Sequence, residues 1–61
     1  MDNIEINNLG ISTFGDIDKF KLWLDTPNFS LGNLKPIELL ETSYGIELVI
    51  NELIRINYGI L

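Results

Sequence analysis

Apolar residues recur with the period of an α-helix along most of the chain after residue 15. A first helix is predicted over 16–25, where Asp16 is suited to cap the N-terminus because its carboxylate can accept a backbone N–H. At about 100° per residue, its apolar side chains share an arc of about 120°: Ile17, Phe20, Trp23 and Leu24. This spacing favours Trp23 as a core residue. Pro27 ends the helix, since proline disfavours helical geometry in the residue before it.

A second, short helix is predicted over 36–41, because Pro36 lacks the N–H that a first helical residue leaves unpaired. The loop before this helix carries three apolar side chains: Phe29, Leu31 and Leu34. Burying a large apolar side chain stabilises a fold by about 1.5–3 kcal/mol. We therefore expect the loop to fold under the helices.

The longest helix is predicted over 45–58, with Thr42 and Ser43 as two candidate hydroxyl caps before it and Gly59 as its left-handed end. Its apolar residues span an arc of about 160°: Ile46, Val49, Ile50, Leu53, Ile54 and Ile56. A surface helix that packs on one side needs an arc of only about 100°. Two partners are therefore expected to share this helix.

Two residues of the longest helix break its pattern. Leu48 is predicted on the polar side near Glu52 and Arg55, whereas Asn57 falls inside the apolar arc. A lone exposed leucine is common, and a helix end often frays into solvent, so neither position requires a partner. The alternative is that Leu48 and Asn57 contact another chain.

Residues 1–13 carry isoleucine and leucine among asparagine and glycine, with the alternation of a short strand over 3–6. A single strand is not stable alone, so this segment either pairs with its copy in a dimer, lies on the helices or is disordered. The predicted fold class is all-α. The expected architecture is a small three-helix domain within 14–61, preceded by a short extended or disordered segment.

The length of 61 residues allows one domain near the lower size limit for a stable core. Cysteine and histidine are absent, so neither a disulfide nor a structural zinc site can stabilise this small core. Self-association or a binding partner is the remaining source of additional stability. Four basic and nine acidic residues give a net charge of -5, which argues against binding of a nucleic-acid backbone. The acidic start and the lack of a long apolar run predict a cytoplasmic protein without membrane contact.

Catalysis is not expected from this composition. Without histidine and cysteine, the chain lacks the commonest general base, the commonest metal ligand and the best thiol nucleophile. The carboxylates are spread along helix starts and exposed faces, and the glycines do not follow a phosphate-loop pattern. We therefore predict no catalytic residue, metal or cofactor. The prediction for this chain is a binding module.

The order of the residues as a whole adds a family resemblance. The matching residues are Phe14-Gly15, Trp23-Leu24, Pro27-Asn28, Leu31-Gly32, Lys35 with 36–40, Thr42, Gly45, Val49, Leu53 and Tyr58-Gly59. This series resembles the toxin-binding domain of Xre/MbcA/ParS antitoxins over 14–61. The most specific part is the succession of a Trp-Leu helix end, a Pro-Asn turn, a Leu-Gly loop and a helix that starts with proline.

The resemblance implies an antitoxin that is not itself an enzyme and that binds a RES-type toxin, which acts on NAD by glycohydrolysis or ADP-ribosyl transfer. In such families the C-terminal helix region is expected to cover the active-site cleft of the toxin. The implied contact residues are Arg55, Asn57, Tyr58, Gly59, Ile60 and Leu61. A homodimer is expected as well. The alternative function is a homodimeric helical interaction module of a transcriptional regulator that has no toxin partner.

Two departures from the family pattern qualify these expectations. Family members usually carry an upstream DNA-binding segment, whereas only 1–13 precede the match, so this chain alone is not expected to bind nucleic acid. Asn33 replaces the second glycine of the Leu-Gly loop. Because asparagine also tolerates left-handed geometry, the loop is expected to persist.

Overall fold

A computed structural model describes residues 4–59, which form four α-helices and one 3-10 turn. The elements are α1 (Ile4–Phe14), α2 (Ile17–Leu24), the 3-10 turn (Phe29–Leu31), α3 (Pro36–Leu39) and α4 (Ser43–Tyr58). The all-α prediction is confirmed, and the three predicted helices correspond to α2, α3 and α4. Within residues 4–59, no helix is both long and apolar enough to cross a membrane.

The N-terminal segment differs from the expectation. The predicted strand over 3–6 is wrong where the structure describes it, because α1 begins at Ile4, while Asn3 lies outside the described residues. A strand would place Ile4 and Ile6 on one face, yet Ile4 is 71% exposed and Ile6 is 2% exposed. Ile6 and Gly10 are buried together one turn apart, so a helical period governs this segment.

The core lies where α1, α2 and α4 meet. Its fully buried apolar side chains are Ile6, Phe20, Val49 and Leu53. Partly buried apolar residues pack around them: Leu9, Phe14, Trp23, Leu24, Leu39, Leu40, Ile46 and Ile50. The ring centroids of Phe14 and Trp23 are 5.6 Å apart, and Phe20 lies 6.3 Å from Trp23. Trp23 is therefore part of the core packing, as its spacing predicts.

Local hydrogen bonds set where the helices begin. The Asp16 carboxylate accepts from the backbone N–H of Lys19 at 2.8 Å and starts α2. The Thr42 hydroxyl accepts from the N–H of Gly45 at 2.9 Å, so α4 begins slightly before the predicted residue 45. Pro36 opens α3 as predicted, and Gly59 ends α4 in the left-handed region, with φ 70°.

Replacement of Thr42 by alanine is expected to lower the free energy of unfolding by about 1 kcal/mol, because the N–H of Gly45 loses its side-chain acceptor. Urea denaturation measures this difference. The exposed neighbour Ser43 provides the control, and Ser43→Ala should stay within about 0.5 kcal/mol of the parent chain. Equal effects of the two variants would contradict a specific capping role for Thr42.

The loop between α2 and α3 does not fold under the helices as a whole. Leu31 is partly buried, but Phe29 is 87% exposed and Leu34 is also exposed. The reason is that backbone hydrogen bonds close the loop near Asn28, whose N–H donates to the Leu34 carbonyl at 3.0 Å. In the resulting tight turn the Leu31 side chain is partly buried, and the Phe29 side chain is exposed. Asn33 adopts φ 64°, so the predicted left-handed geometry is confirmed.

Candidate partner-binding surface

The last two turns of α4 carry most of the residues predicted to contact a partner. Arg55, Asn57 and Tyr58 are all exposed, and 71% of Tyr58 is accessible to solvent. The N–H of Gly59 donates to the carbonyls of Arg55 and Ile56, which closes the helix end. Ile60 and Leu61 lie outside the described residues. The last two turns of α4 thus expose one cation, one amide and one phenol, with Arg55 and Asn57 on different sides of the helix.

The Arg55 side chain is positioned by a residue that the sequence pattern did not single out. Its Nη1 atom lies 3.3 Å from Oε1 of Glu52, one turn earlier on α4. Only 12% of the Glu52 side chain is exposed, compared with 54% for Arg55. Such a partly exposed pair contributes little to stability, at about 0–1 kcal/mol. Its main consequence is orientation, because the Glu52 carboxylate holds the guanidinium on one side of the helix.

Leu48 lies about two turns before Arg55 on the same side of α4. Its side chain is partly buried instead of standing alone in solvent. Together with Glu52, it shows that the side of α4 predicted to be polar is partly covered. Only a portion of Leu48 is therefore accessible to another chain.

A groove between α1 and α4 adjoins the end of α4. Its residues are Glu5, Asn8, Leu9, Ile50, Ile54 and Tyr58. The apolar floor consists of the leucine and the two isoleucines, and Glu5 is the one charged residue among those lining it. Tyr58 belongs both to this groove and to the predicted contact region. The sequence pattern missed the groove because one of its walls is α1, which was not predicted as a helix.

The end of α4 combines one basic side chain with an aromatic side chain that lines a groove. Among the described residues, no group of three or more potential metal-ligating side chains comes together. Arg55 is the single basic residue of α4, and Tyr58, three residues later, lines the apolar groove. Arginine and tyrosine are among the side chains enriched at energetically important positions of protein interfaces.

The comparison with known families agrees with this picture. The model of the antitoxin Xre/MbcA/ParS C-terminal toxin-binding domain matches residues 9–59. The match begins within α1, earlier than the resemblance from residue 14, and ends at Gly59, where α4 ends. No curated protein and no solved structure gives a significant match. Since the matched region covers most of the 61 residues, the chain belongs to the family of antitoxin Xre/MbcA/ParS C-terminal toxin-binding domains.

Proposed function

We propose that this chain neutralises a RES-type toxin, an enzyme that consumes NAD or ADP-ribosylates a target, by covering its active-site cleft with the end of α4. The observation that carries the proposal is the exposed group of Arg55, Asn57 and Tyr58 at the C-terminus of a helix anchored in the core. Family membership supplies the toxin as the class of partner. Leu48, Gly59, Ile60 and Leu61 complete the proposed contact region.

Each side chain has a role suited to an enzyme cleft. Arg55 is held through one guanidinium nitrogen by Glu52, so its other N–H groups remain able to donate to carboxylate or carbonyl oxygens of the toxin. Tyr58 offers a large apolar ring with one hydroxyl for hydrogen bonding. We also place Ile60 and Leu61, which follow the helix end at Gly59, in contact with the cleft.

The net charge supports the same proposal. A cleft that binds the pyrophosphate of NAD needs positive potential, and this chain carries a net charge of -5. Opposite potentials accelerate encounter and favour the correct partner. In this proposal the chain acts by occupying the cleft and performs no catalysis, and both proteins are in the cytoplasm, where NAD is available. We also propose that the antitoxin is a homodimer.

The test is coexpression of the RES-type toxin with the full chain and with a chain that lacks 58–61. The full chain should restore growth and form a stable complex, whereas the truncated chain should lose neutralisation. Circular dichroism should show nearly unchanged helicity, because the truncation removes only one residue of α4 and none of the core. Leu22→Ser is the matched control, since Leu22 is equally exposed but belongs to α2.

The possible results separate the parts of the proposal. A toxin that stays active and unbound with the full chain in excess contradicts the antitoxin function for this toxin class. A truncated chain that still neutralises the toxin moves the interface away from the end of α4, and Leu48 becomes the next position to substitute. Loss of neutralisation by Leu22→Ser would show that the truncation result is not specific to the helix end.

A second candidate function is a homodimeric helical module of a transcriptional regulator without a toxin partner. The apolar groove between α1 and α4 favours it, since a second copy can cover such a groove. This candidate predicts a stable dimer together with failure to protect cells from any RES-type toxin. Restored growth in the coexpression experiment contradicts it.

A further inference from the structure

The groove between α1 and α4 is continuous with the contact region at the end of α4. Ile50, Ile54 and Tyr58 follow one another at intervals of four residues, so they form one wall of the groove along α4. At about 100° per residue, Arg55 lies about 60° from Tyr58 around the helix, on the side away from Ile54. Tyr58 therefore connects the groove with the residues that the proposed function assigns to the toxin.

The wall formed by α1 contributes a carboxylate at the same end of the molecule. Glu5 lies in the first turn of α1 and lines the groove together with Tyr58. Neither of the ion pairs formed within residues 4–59 includes Glu5. The Glu52 carboxylate is largely covered and already paired with Arg55, whereas Glu5 is exposed. Glu5 is therefore available to a cation of another molecule.

We infer that the groove is a second part of the toxin-binding surface, where a toxin segment places an apolar side chain on the groove floor and a lysine or arginine against Glu5. The inference rests on the proposed function, and it adds α1 to an interface that the family resemblance implied for the end of α4. The two sides of Tyr58 then have opposite roles. Arg55 binds an acceptor of the toxin, and Glu5 binds a cation.

The chemistry of the groove fits the rim of a cleft that binds NAD. Such a cleft needs positive potential for the pyrophosphate, and a carboxylate can pair with one of its cationic side chains in place of the phosphate. Asn8 follows Glu5 by three residues on α1, and its amide can both donate to and accept from the toxin backbone. Leu9, Ile50 and Ile54 supply the apolar floor.

A second copy of this chain is a poorer occupant of the groove. Each copy has four basic and nine acidic side chains, and Lys35 and Arg55 already pair with carboxylates. Two chains of net charge -5 also repel each other, whereas a cleft with positive potential attracts the chain. Charge complementarity therefore favours the toxin.

A matched pair of charge variants tests the role of Glu5. Glu5→Gln and Asp18→Asn each remove one negative charge from an exposed carboxylate in the first turn of a helix, but Asp18 lies on α2. Calorimetric titration with the purified toxin should show at least about ten-fold weaker binding for Glu5→Gln and a change below about two-fold for Asp18→Asn. Added NaCl should weaken binding of the parent chain more than that of Glu5→Gln, because the variant lacks the ion pair.

A second matched pair tests the apolar floor. Ile54 and Ile56 are 37% and 39% exposed, and two residues along a helix place them on nearly opposite sides of α4. Ile54→Ser should weaken toxin binding at least about ten-fold, and Ile56→Ser by less than about two-fold. Urea unfolding of each variant shows that it is folded under the conditions of the titration.

The inference requires that both Glu5→Gln and Ile54→Ser weaken binding. A parent chain that binds the toxin, with either variant binding equally well, overturns the inference and leaves the proposed function intact. An equal loss for Asp18→Asn would attribute the effect to net charge and overturn it as well. If Ile54→Ser changes only the sedimentation of the free chain, a second copy covers the groove instead. A parent chain that does not bind the toxin contradicts the proposed function itself, and the inference falls with it.

Discussion

Replacement of Gly45 by alanine should lower the free energy of unfolding by about 2 kcal/mol, which is a large part of the stability of so small a domain. A Cβ atom at this position would overlap the backbone carbonyl of Leu39, at the end of α3. A carbonyl cannot rotate away as a side chain can, so α3 must move relative to α4. Overpacking usually costs about 1–3 kcal/mol and occasionally more, and this contact belongs at the upper end. The whole domain has only about 3–9 kcal/mol of stability to lose.

The intrinsic preference of alanine for helices opposes this effect but does not cancel it. Alanine gains about 0.5–1 kcal/mol over glycine inside a helix, which is less than the expected overlap cost. Thermal and urea unfolding, followed by circular dichroism, measure the net change. Glu47→Ala, at an exposed position of the same helix, should change stability by less than about 0.5 kcal/mol. A Gly45→Ala chain as stable as the parent would mean that α3 is not held against α4 at this point.

Gly45 also shows why a residue pattern can identify a family before its physical role is known. It is one of the residues that carried the sequence resemblance, yet the sequence offers no reason for a glycine in the first turn of a helix. The reason lies in α3, whose last residue approaches α4 too closely for any side chain. A close contact between two helices of this kind can be recognised only from their three-dimensional positions.

Local signals account for the elements that the sequence predicted correctly. Asp16, Thr42 and Gly59 act within three or four residues along the chain, through hydrogen bonds or a left-handed turn. Each of these helix boundaries is set by residues nearby in the sequence and needs no tertiary contact. The family resemblance and the apolar arc of α4 predict a contact region at the end of that helix, where Arg55 and Tyr58 are exposed.

α1 could not be predicted in this way because its apolar residues do not mark the side of the helix that is buried. Gly10 contributes no apolar signal although it is buried, and the exposed Ile4 and Ile11 suggest the wrong side. The groove between α1 and α4 was missed for the same reason. Glu52 was missed on α4 because a glutamate in a polar arc looks exposed, whereas its side chain is largely covered and holds Arg55.

The contact between Gly10 and Phe20 leads to the second large expected effect. A Cβ atom at residue 10 would overlap the Phe20 ring, which is fully buried. The ring centroids of Phe14 and Trp23 lie 6.2 Å and 6.3 Å from that of Phe20, so it has little room to move. Gly10→Ala alone is therefore expected to lower the free energy of unfolding by about 2–3 kcal/mol.

A double-mutant cycle separates this overlap from a general weakening of α1. Phe20→Leu alone should cost about 1–2 kcal/mol through lost packing. In the double variant the new methyl group occupies part of the space that the ring leaves, so the loss should be smaller than the sum by at least about 1 kcal/mol. Ser12→Ala, at an exposed position of α1, should instead add to Phe20→Leu without interaction. Additive effects for Gly10→Ala as well would show that the ring of Phe20 does not set the glycine requirement, and that α1 can approach α2 with a side chain between them.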